Sequence, residues 1–130
     1  MADSRTLWGT GVSIVIVVAL GMSWASRASS VHEISLVARG MAFYVEGTSV
    51  ANPTMQVRAG DRIRIVLKNE ASGLRHDLAV PSLSAVMSPV EPGSSGVLEF
   101  DAPAQPGRLV YECRPHAQMM HGMIEVTPEP

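Results

Sequence analysis

Hydrophobic and polar residues alternate over short stretches of the chain from residue 41 onward. Between Arg62 and Lys68, for example, Ile63, Ile65 and Leu67 share one face of an extended segment and charged residues occupy the other. Such alternation is typical of a strand that covers a core with one face. Turn-forming residues separate the stretches, and no sustained helical period of ten residues follows residue 30. The segments predicted as strands are 41–45, 54–57, 62–67, 77–80, 97–100, 109–112 and 123–126.

The number and spacing of these segments predict an all-β domain. We expect an antiparallel Greek-key β-sandwich, or a small barrel, of seven to eight strands. His32 is expected on the surface, in a first strand close to the N-terminal region. The segment 81–96 contains three prolines and is too long for a hairpin loop. It is therefore expected to run over the surface or to reach a partner.

The N-terminal region differs from the rest of the chain. Residues 6–26 form an uncharged stretch of 21 residues between Arg5 and Arg27, with Trp8 and Trp24 near its ends. As an α-helix this stretch would span about 31 Å, close to the hydrocarbon thickness of a bilayer. Tryptophans favour the membrane interface, so we predict a retained transmembrane helix that contacts lipid. The alternative is a signal peptide cleaved near residues 25–26.

The predicted division is a membrane anchor with a short linker in residues 1–30, followed by a single domain in residues 31–130. Either interpretation of the N-terminal region exports that domain, which predicts a location on the periplasmic or another extracytoplasmic side. With 130 residues, 46% hydrophobic and 17% charged, the chain is neither disordered nor long enough for two ordinary domains. The net charge is −2, without a basic run, so nucleic acid is not expected as a partner.

Candidate metal ligands are concentrated between residues 111 and 126. This segment contains Cys113, His116, Met119, Met120 and His121. Thiolate, imidazole and thioether donors together suit copper, whereas calcium and magnesium require oxygen ligands. Two histidines, one cysteine and a distant methionine form the geometry of a copper electron-transfer site. The second histidine would come from elsewhere in the chain.

His76, at the head of the predicted strand 77–80, is the obvious candidate for this second histidine. Cys113 is the only cysteine of the chain, which excludes an internal disulfide, a four-cysteine zinc site and a cluster held by several cysteines of this chain. A zinc site formed by Cys113, His76, His116 and His121 remains an alternative.

These features resemble the cupredoxin family of blue copper proteins, over about residues 34–126. Residues 53–69 are similar to the family's succession of a strand, a Gly-Asp turn, a strand and an asparagine. The resemblance implies one mononuclear type 1 copper with His76, Cys113 and His116 as equatorial ligands. Asp77 falls where many members have an asparagine that holds the ligand loop.

The axial ligand implied by the resemblance is Met120. Family members continue from the axial methionine into the last strand with a Met-x-Gly-x-[Ile/Val]-x-Val run, and residues 120–126 fit that register. Met119 would correspond to a shorter ligand loop. His121 is the other alternative, and a histidine there would favour Cu(II) and lower the reduction potential.

The function expected from these features is one-electron transfer by a membrane-anchored blue copper protein. Its partner would be a redox protein or a membrane complex of respiration or photosynthesis. Copper delivery or storage, and a structural role as an accessory subunit of a membrane complex, are the alternatives. An enzyme is not expected, because multicopper oxidases and copper nitrite reductases have a histidine where Glu112 precedes Cys113.

Overall fold

The computed structural model describes residues 30–129, which contain nine strands and two short 3₁₀ turns joined by loops. The 3₁₀ turns are Pro81–Leu83 and Arg114–His116. The strands are β1 (Val31–Arg39), β2 (Ala42–Val45), β3 (Met55–Arg58), β4 (Arg62–Asn69), β5 (Ala79–Val80), β6 (Ala85–Val86), β7 (Ser95–Asp101), β8 (Gly107–Glu112) and β9 (His121–Thr127).

The strands form a two-sheet sandwich. One sheet has the order β2-β1-β4-β7 and the other the order β3-β9-β8-β5-β6. The all-β sandwich is confirmed, but the prediction of a purely antiparallel arrangement is wrong, because β1 pairs with β4 and β3 with β9 in parallel. From β2 the chain passes to β3 in the other sheet and returns to β4. Such a crossover lets β4 run in the same direction as β1, and the alternation pattern carries no information on direction.

All seven predicted segments overlap observed strands, but the total of seven to eight was too low. The longest strand, β1, is absent from the list of predicted segments, although its partly exposed His32 does lie in a first strand as expected. Within β1, Leu36, Val37 and Ala38 are consecutive and all buried. A strand covered on both faces has no alternation to detect.

The core lies between the two sheets. Ile63, Ile65 and Leu67 of β4 are fully buried, as their alternation predicts. On the outer face of the same sheet, Arg64 pairs with Glu33 of β1 and Glu99 of β7. These exposed ion pairs add little stability. Their charged side chains make the outer face of this sheet polar and exposed to solvent.

The segment 81–96 is attached to the body of the domain, contrary to the expectation of a free surface loop. Met87 and Val90 are buried, and a Cβ added to Gly96 would lie 2.6 Å from Val90 and 2.8 Å from Met87. The Val90 N–H donates to the His76 carbonyl at 2.7 Å, and the His76 N–H donates back to Val90 at 3.2 Å. This segment therefore forms one wall of the region around His76.

No helix in residues 30–129 is both long and apolar enough to cross a membrane. The transmembrane helix predicted for residues 6–26 lies outside the described residues, as does nearly all of the predicted anchor and linker. Both stay predictions.

Candidate metal centre

Three candidate ligands meet at one end of the sandwich. The Sγ atom of Cys113 lies 3.6 Å from Nδ1 of His76 and 3.5 Å from Nδ1 of His116. The two imidazole rings are nearly edge-to-face, with centroids 5.1 Å apart. His76 and Cys113 are fully buried, whereas His116 is partly exposed. His76 lies 37 positions before Cys113 in the sequence, yet the fold brings one sulfur and two nitrogens together at this point.

The ligand loop between β8 and β9 is closed by its own backbone. Cys113 follows β8, and the next three residues form the 3₁₀ turn that carries His116. The Cys113 N–H donates to the Met120 carbonyl at 2.9 Å, and the Met120 N–H donates to the His116 carbonyl at 2.9 Å. These bonds fix the spacing between the donors without relying on a metal.

The separations fit a bound metal ion. With metal–ligand bonds of about 2.0–2.3 Å, sulfur and nitrogen atoms 3.5–3.6 Å apart subtend an angle of about 110° at the ion. A buried thiolate with two imidazoles satisfies a borderline-soft ion such as copper or zinc. Zinc sites draw on cysteine, histidine and carboxylate, so a neighbouring thioether favours copper.

Of the three candidate axial residues, only Met120 is enclosed. Its side chain is fully buried and belongs to the same core cluster as Cys113. Met119 is 56% exposed. His121 is also exposed, and its Nδ1 atom donates to the Ala117 carbonyl at 2.8 Å. This leaves His121 outside the cluster, which disfavours both the axial histidine and the four-ligand zinc site.

Burial controls the protonation of the donors. It is the main cause of the lowered pKa of His76, and the charge of His116 adds to it. Nε2 of His76 is buried and has no hydrogen-bond partner within 3.5 Å in residues 30–129, although the backbone of Gly40 partly opposes the lowering of the pKa. Burial likewise raises the pKa of the Cys113 thiol, against the backbone groups of Asp77 and His116, which lower it. His76 is therefore a neutral ligand near pH 7, and a bound metal would displace the thiol proton.

Asp77 holds the start of the ligand loop. Its carboxylate is 2% exposed, and its Oδ1 atom accepts the backbone N–H of Arg114 at 2.8 Å. Its Oδ2 atom accepts Nε–H of the same arginine at 2.7 Å. Asp77 thus contacts the residue that follows Cys113, in the position where the resemblance implies a supporting residue.

Two asparagines support the site, and the sequence analysis gave neither of them a role. Asn69 is fully buried; its Nδ2 group donates to the Leu74 carbonyl at 2.7 Å and to the Val90 carbonyl at 2.9 Å. It thereby joins the two segments that flank His76. Its place as the asparagine that ends the family-like succession in residues 53–69 was the available signal.

Asn52 supports the other end of the ligand loop. Its Oδ1 atom accepts the Phe43 N–H at 3.0 Å, and its Nδ2 group donates to the Met119 carbonyl at 2.9 Å. The residue has a φ of +48°, which asparagine tolerates better than most residues. An Asn-Pro dipeptide such as Asn52-Pro53 is typical of a turn, but this pattern does not indicate a contact with the ligand loop.

Comparison with known proteins gives structural matches only. No protein-family model matches the chain, and no curated protein matches it by sequence. A dithionite-reduced auracyanin from the photosynthetic bacterium Roseiflexus castenholzii matches with a TM-score of 0.57 and 19% identity, over 74% of this chain and 97% of that one. Auracyanin A of Chloroflexus aurantiacus, a blue copper protein, matches with a TM-score of 0.56 and 16% identity, over 75% of this chain and all (100%) of that one.

Copper enzymes also contain this fold. A copper-containing nitrite reductase of Thermus scotoductus matches with a TM-score of 0.58 and 23% identity over 78% of this chain, but the chain spans only 28% of that enzyme. Likeness at such identities shows the fold alone, and the two auracyanins match over nearly their whole length. The chain therefore has the cupredoxin fold, and His76, Cys113 and His116 lie close enough to one another to hold a metal ion, with Met120 buried in the same core cluster as Cys113.

Proposed function

We propose that this protein carries single electrons on one copper ion held by His76, Cys113, His116 and Met120. The observation that supports the proposal best is the convergence of one thiol sulfur and two imidazole nitrogens within 4.8 Å of one another. A buried thioether in the same core cluster completes the set. Copper, when bound, would supply a one-electron couple between Cu(II) and Cu(I).

The protein's part is to keep the donors fixed while the charge of the site changes. His76 and Cys113 are enclosed by core side chains, and the backbone bonds of the ligand loop set the Cys113-to-Met120 distance. A packed interior resists rearrangement. The ligand geometry then changes little between the two oxidation states, which keeps the reorganisation energy low.

His116 offers the route for the electron. It is the only partly exposed residue of the three that converge within residues 30–129. It lines a surface pocket together with the apolar residues Met41, Pro115 and Met119 and with the polar side chains of Arg114 and Gln118. A partner that docks there would approach a ligand directly, whereas His76 and Cys113 lie behind protein atoms.

The carrier role is proposed over an enzymatic one because of what surrounds the donors. Glu112, and not a histidine, precedes Cys113. Glu112 lies in β8, opposite His121 of β9. The residue before Cys113 therefore has no imidazole that could connect Cys113 to a second copper ion.

The membrane anchor remains part of the proposal, supported by the uncharged stretch 6–26. β1 starts at Val31 and runs to Arg39, a length of about 26 Å at the usual rise of a strand. Met41, just beyond its end, lines the pocket beside His116. The anchor would therefore attach at the end of the sandwich opposite the metal site, so the partner would bind on the side away from the bilayer.

Two measurements on intact protein address the anchor. Mass spectrometry of the membrane fraction should find peptides from residues 6–26, and added protease should reach the domain only from the extracytoplasmic side. A mature chain that starts near residue 26 in the soluble fraction would contradict the anchor.

Copper delivery is a second candidate, favoured by the exposed thioether of Met119 beside His116. Potentiometric titration of the copper-loaded full chain, followed by dialysis against a Cu(I) chelator, separates the two functions. A carrier shows a reversible one-electron curve and keeps its copper through repeated cycles. Loss of the copper on each reduction would overturn electron transfer and favour delivery.

A further inference from the structure

A charged pair connects the two segments that carry the donors. Asp77 directly follows His76, and Arg114 directly follows Cys113. The Asp77 carboxylate accepts two hydrogen bonds from Arg114, at 2.8 Å from the backbone and 2.7 Å from the side chain. Only the first of these is needed to hold the loop, and a neutral amide could accept it equally well. The second bond and the two charges therefore call for a separate explanation.

The two charges differ in exposure. The side chain of Asp77 is 2% exposed and that of Arg114 is 48% exposed. A buried charge acts through a medium of low dielectric constant, whereas water screens an exposed one. The carboxylate therefore acts more strongly on the metal site than the guanidinium does.

We propose that Asp77 and Arg114 act as an opposed charge pair that sets the reduction potential of the copper site, with Asp77 lowering the potential and Arg114 raising it. The inference rests on the proposed function. A divalent copper ion with one thiolate carries a net charge of +1; uptake of one electron brings it to zero and requires no proton. A nearby negative charge favours the oxidised site, and a nearby positive charge favours the reduced one.

The alternative is that the pair only holds the loop in place. Breaking either partner would then loosen the same hydrogen bonds, so both substitutions would change the site in the same direction. The charge model expects opposite directions, and removal of both charges together should shift the potential less than removal of the carboxylate alone.

The test measures the midpoint potential of the copper-loaded full chain for four variants. We expect Asp77→Asn, which keeps an acceptor for the Arg114 N–H, to raise the potential above that of the wild type. Arg114→Gln should lower it, by less, because the arginine is half-exposed. The double variant should lie closer to the wild type than Asp77→Asn does, and Arg114→Lys, which keeps the charge, should resemble the wild type.

Two single shifts in the same direction, or a lysine variant that behaves like the glutamine variant, would overturn the charge model. Thermal unfolding of each metal-free variant identifies any that fail to fold. Titration with Co(II) repeats the test without a redox step. Asp77→Asn should weaken Co(II) binding by about tenfold and Arg114→Gln should strengthen it.

Failure of the proposed function gives a different result from failure of the charge pair. A wild type without a reversible copper couple would contradict electron transfer, while opposite Co(II) shifts would still support the charge pair. A normal copper couple with Co(II) shifts in the same direction for both variants would support electron transfer and contradict the charge pair.

Discussion

Gly122, in β9 next to the ligand loop, is the position where one added methyl group should do most damage. It lies opposite Tyr111 of β8, and a Cβ built on it would come within 2.4 Å of the tyrosine hydroxyl oxygen and 2.5 Å of the ring. Tyr111 is fully buried, donates its hydroxyl to the Pro53 carbonyl at 2.6 Å and packs on Phe43 at 5.8 Å. Because the ring is buried in the core cluster, we expect the added methyl group to break either this hydrogen bond or the β8–β9 pairing.

We expect Gly122→Ala to destabilise the domain by about 2–4 kcal/mol, the sum of an overpacking cost of about 1–3 and a lost hydrogen bond of about 1. For a domain of this size that lowers the midpoint of thermal unfolding by roughly 10–20 °C. The assay is calorimetry of the metal-free full chain in mild detergent.

Gly107→Ala is the matched control, because Gly107 lies in the same strand pair and an added Cβ meets no atom within 4 Å. It should be neutral or slightly stabilising. In a Tyr111→Leu background, Gly122→Ala should cost clearly less than in the wild type. A loss below about 0.5 kcal/mol, or equal losses at both glycines, would refute the steric reasoning.

Three further outcomes are expected. Met120→Leu should retain copper and raise its reduction potential, because the axial donor tunes the couple, while Met119→Leu and His121→Gln should change it little; a large change in His121→Gln alone would assign the axial role to His121. Asn52→Ala should destabilise the metal-free chain by about 1–2 kcal/mol in urea, since it removes bonds to Phe43 and to the ligand loop, and an unchanged midpoint would exclude that support. Hydrogen bonds from two arginines lower the pKa of Glu99, so its contribution to stability is present above the pKa of the unfolded state and is lost as the pH falls through the lower folded value. Glu99→Gln should therefore flatten the acid limb of a stability–pH curve, and an identical limb would contradict the pairing.

The sequence predicts the strands that have one face in the core and the other in solvent. β4 follows its alternation closely, with Ile63, Ile65 and Leu67 inside. β1 was absent from the predicted segments because Leu36 to Ala38 are buried in succession. The parallel pairing of β1 with β4 depends on where the chain crosses between the sheets, and local patterns do not record that.

In the metal site too, the ligands could be predicted from the sequence, whereas the residues that support them could not. Donor chemistry and the family resemblance pointed to His76 and Cys113, which the fold brings within 3.6 Å. The supports depend on contacts between distant segments, such as the hydrogen bond from Asn52 to Met119 across 67 residues. No spacing rule links these two positions, because the contact exists only once the sandwich has formed. The same holds for the side-chain bond between Asp77 and Arg114.

The visible spectrum of the full chain titrated with Cu(II) tests the central claim most directly. If Cys113 is an equatorial ligand, an intense thiolate-to-Cu(II) band should grow and saturate at one copper per chain, and Cys113→Ser should lack it. Cys113 is the only cysteine in the sequence, so no other thiolate of the chain could produce the band. A colourless wild type, a band that persists in Cys113→Ser, or binding of zinc alone under excess copper would contradict the blue copper assignment.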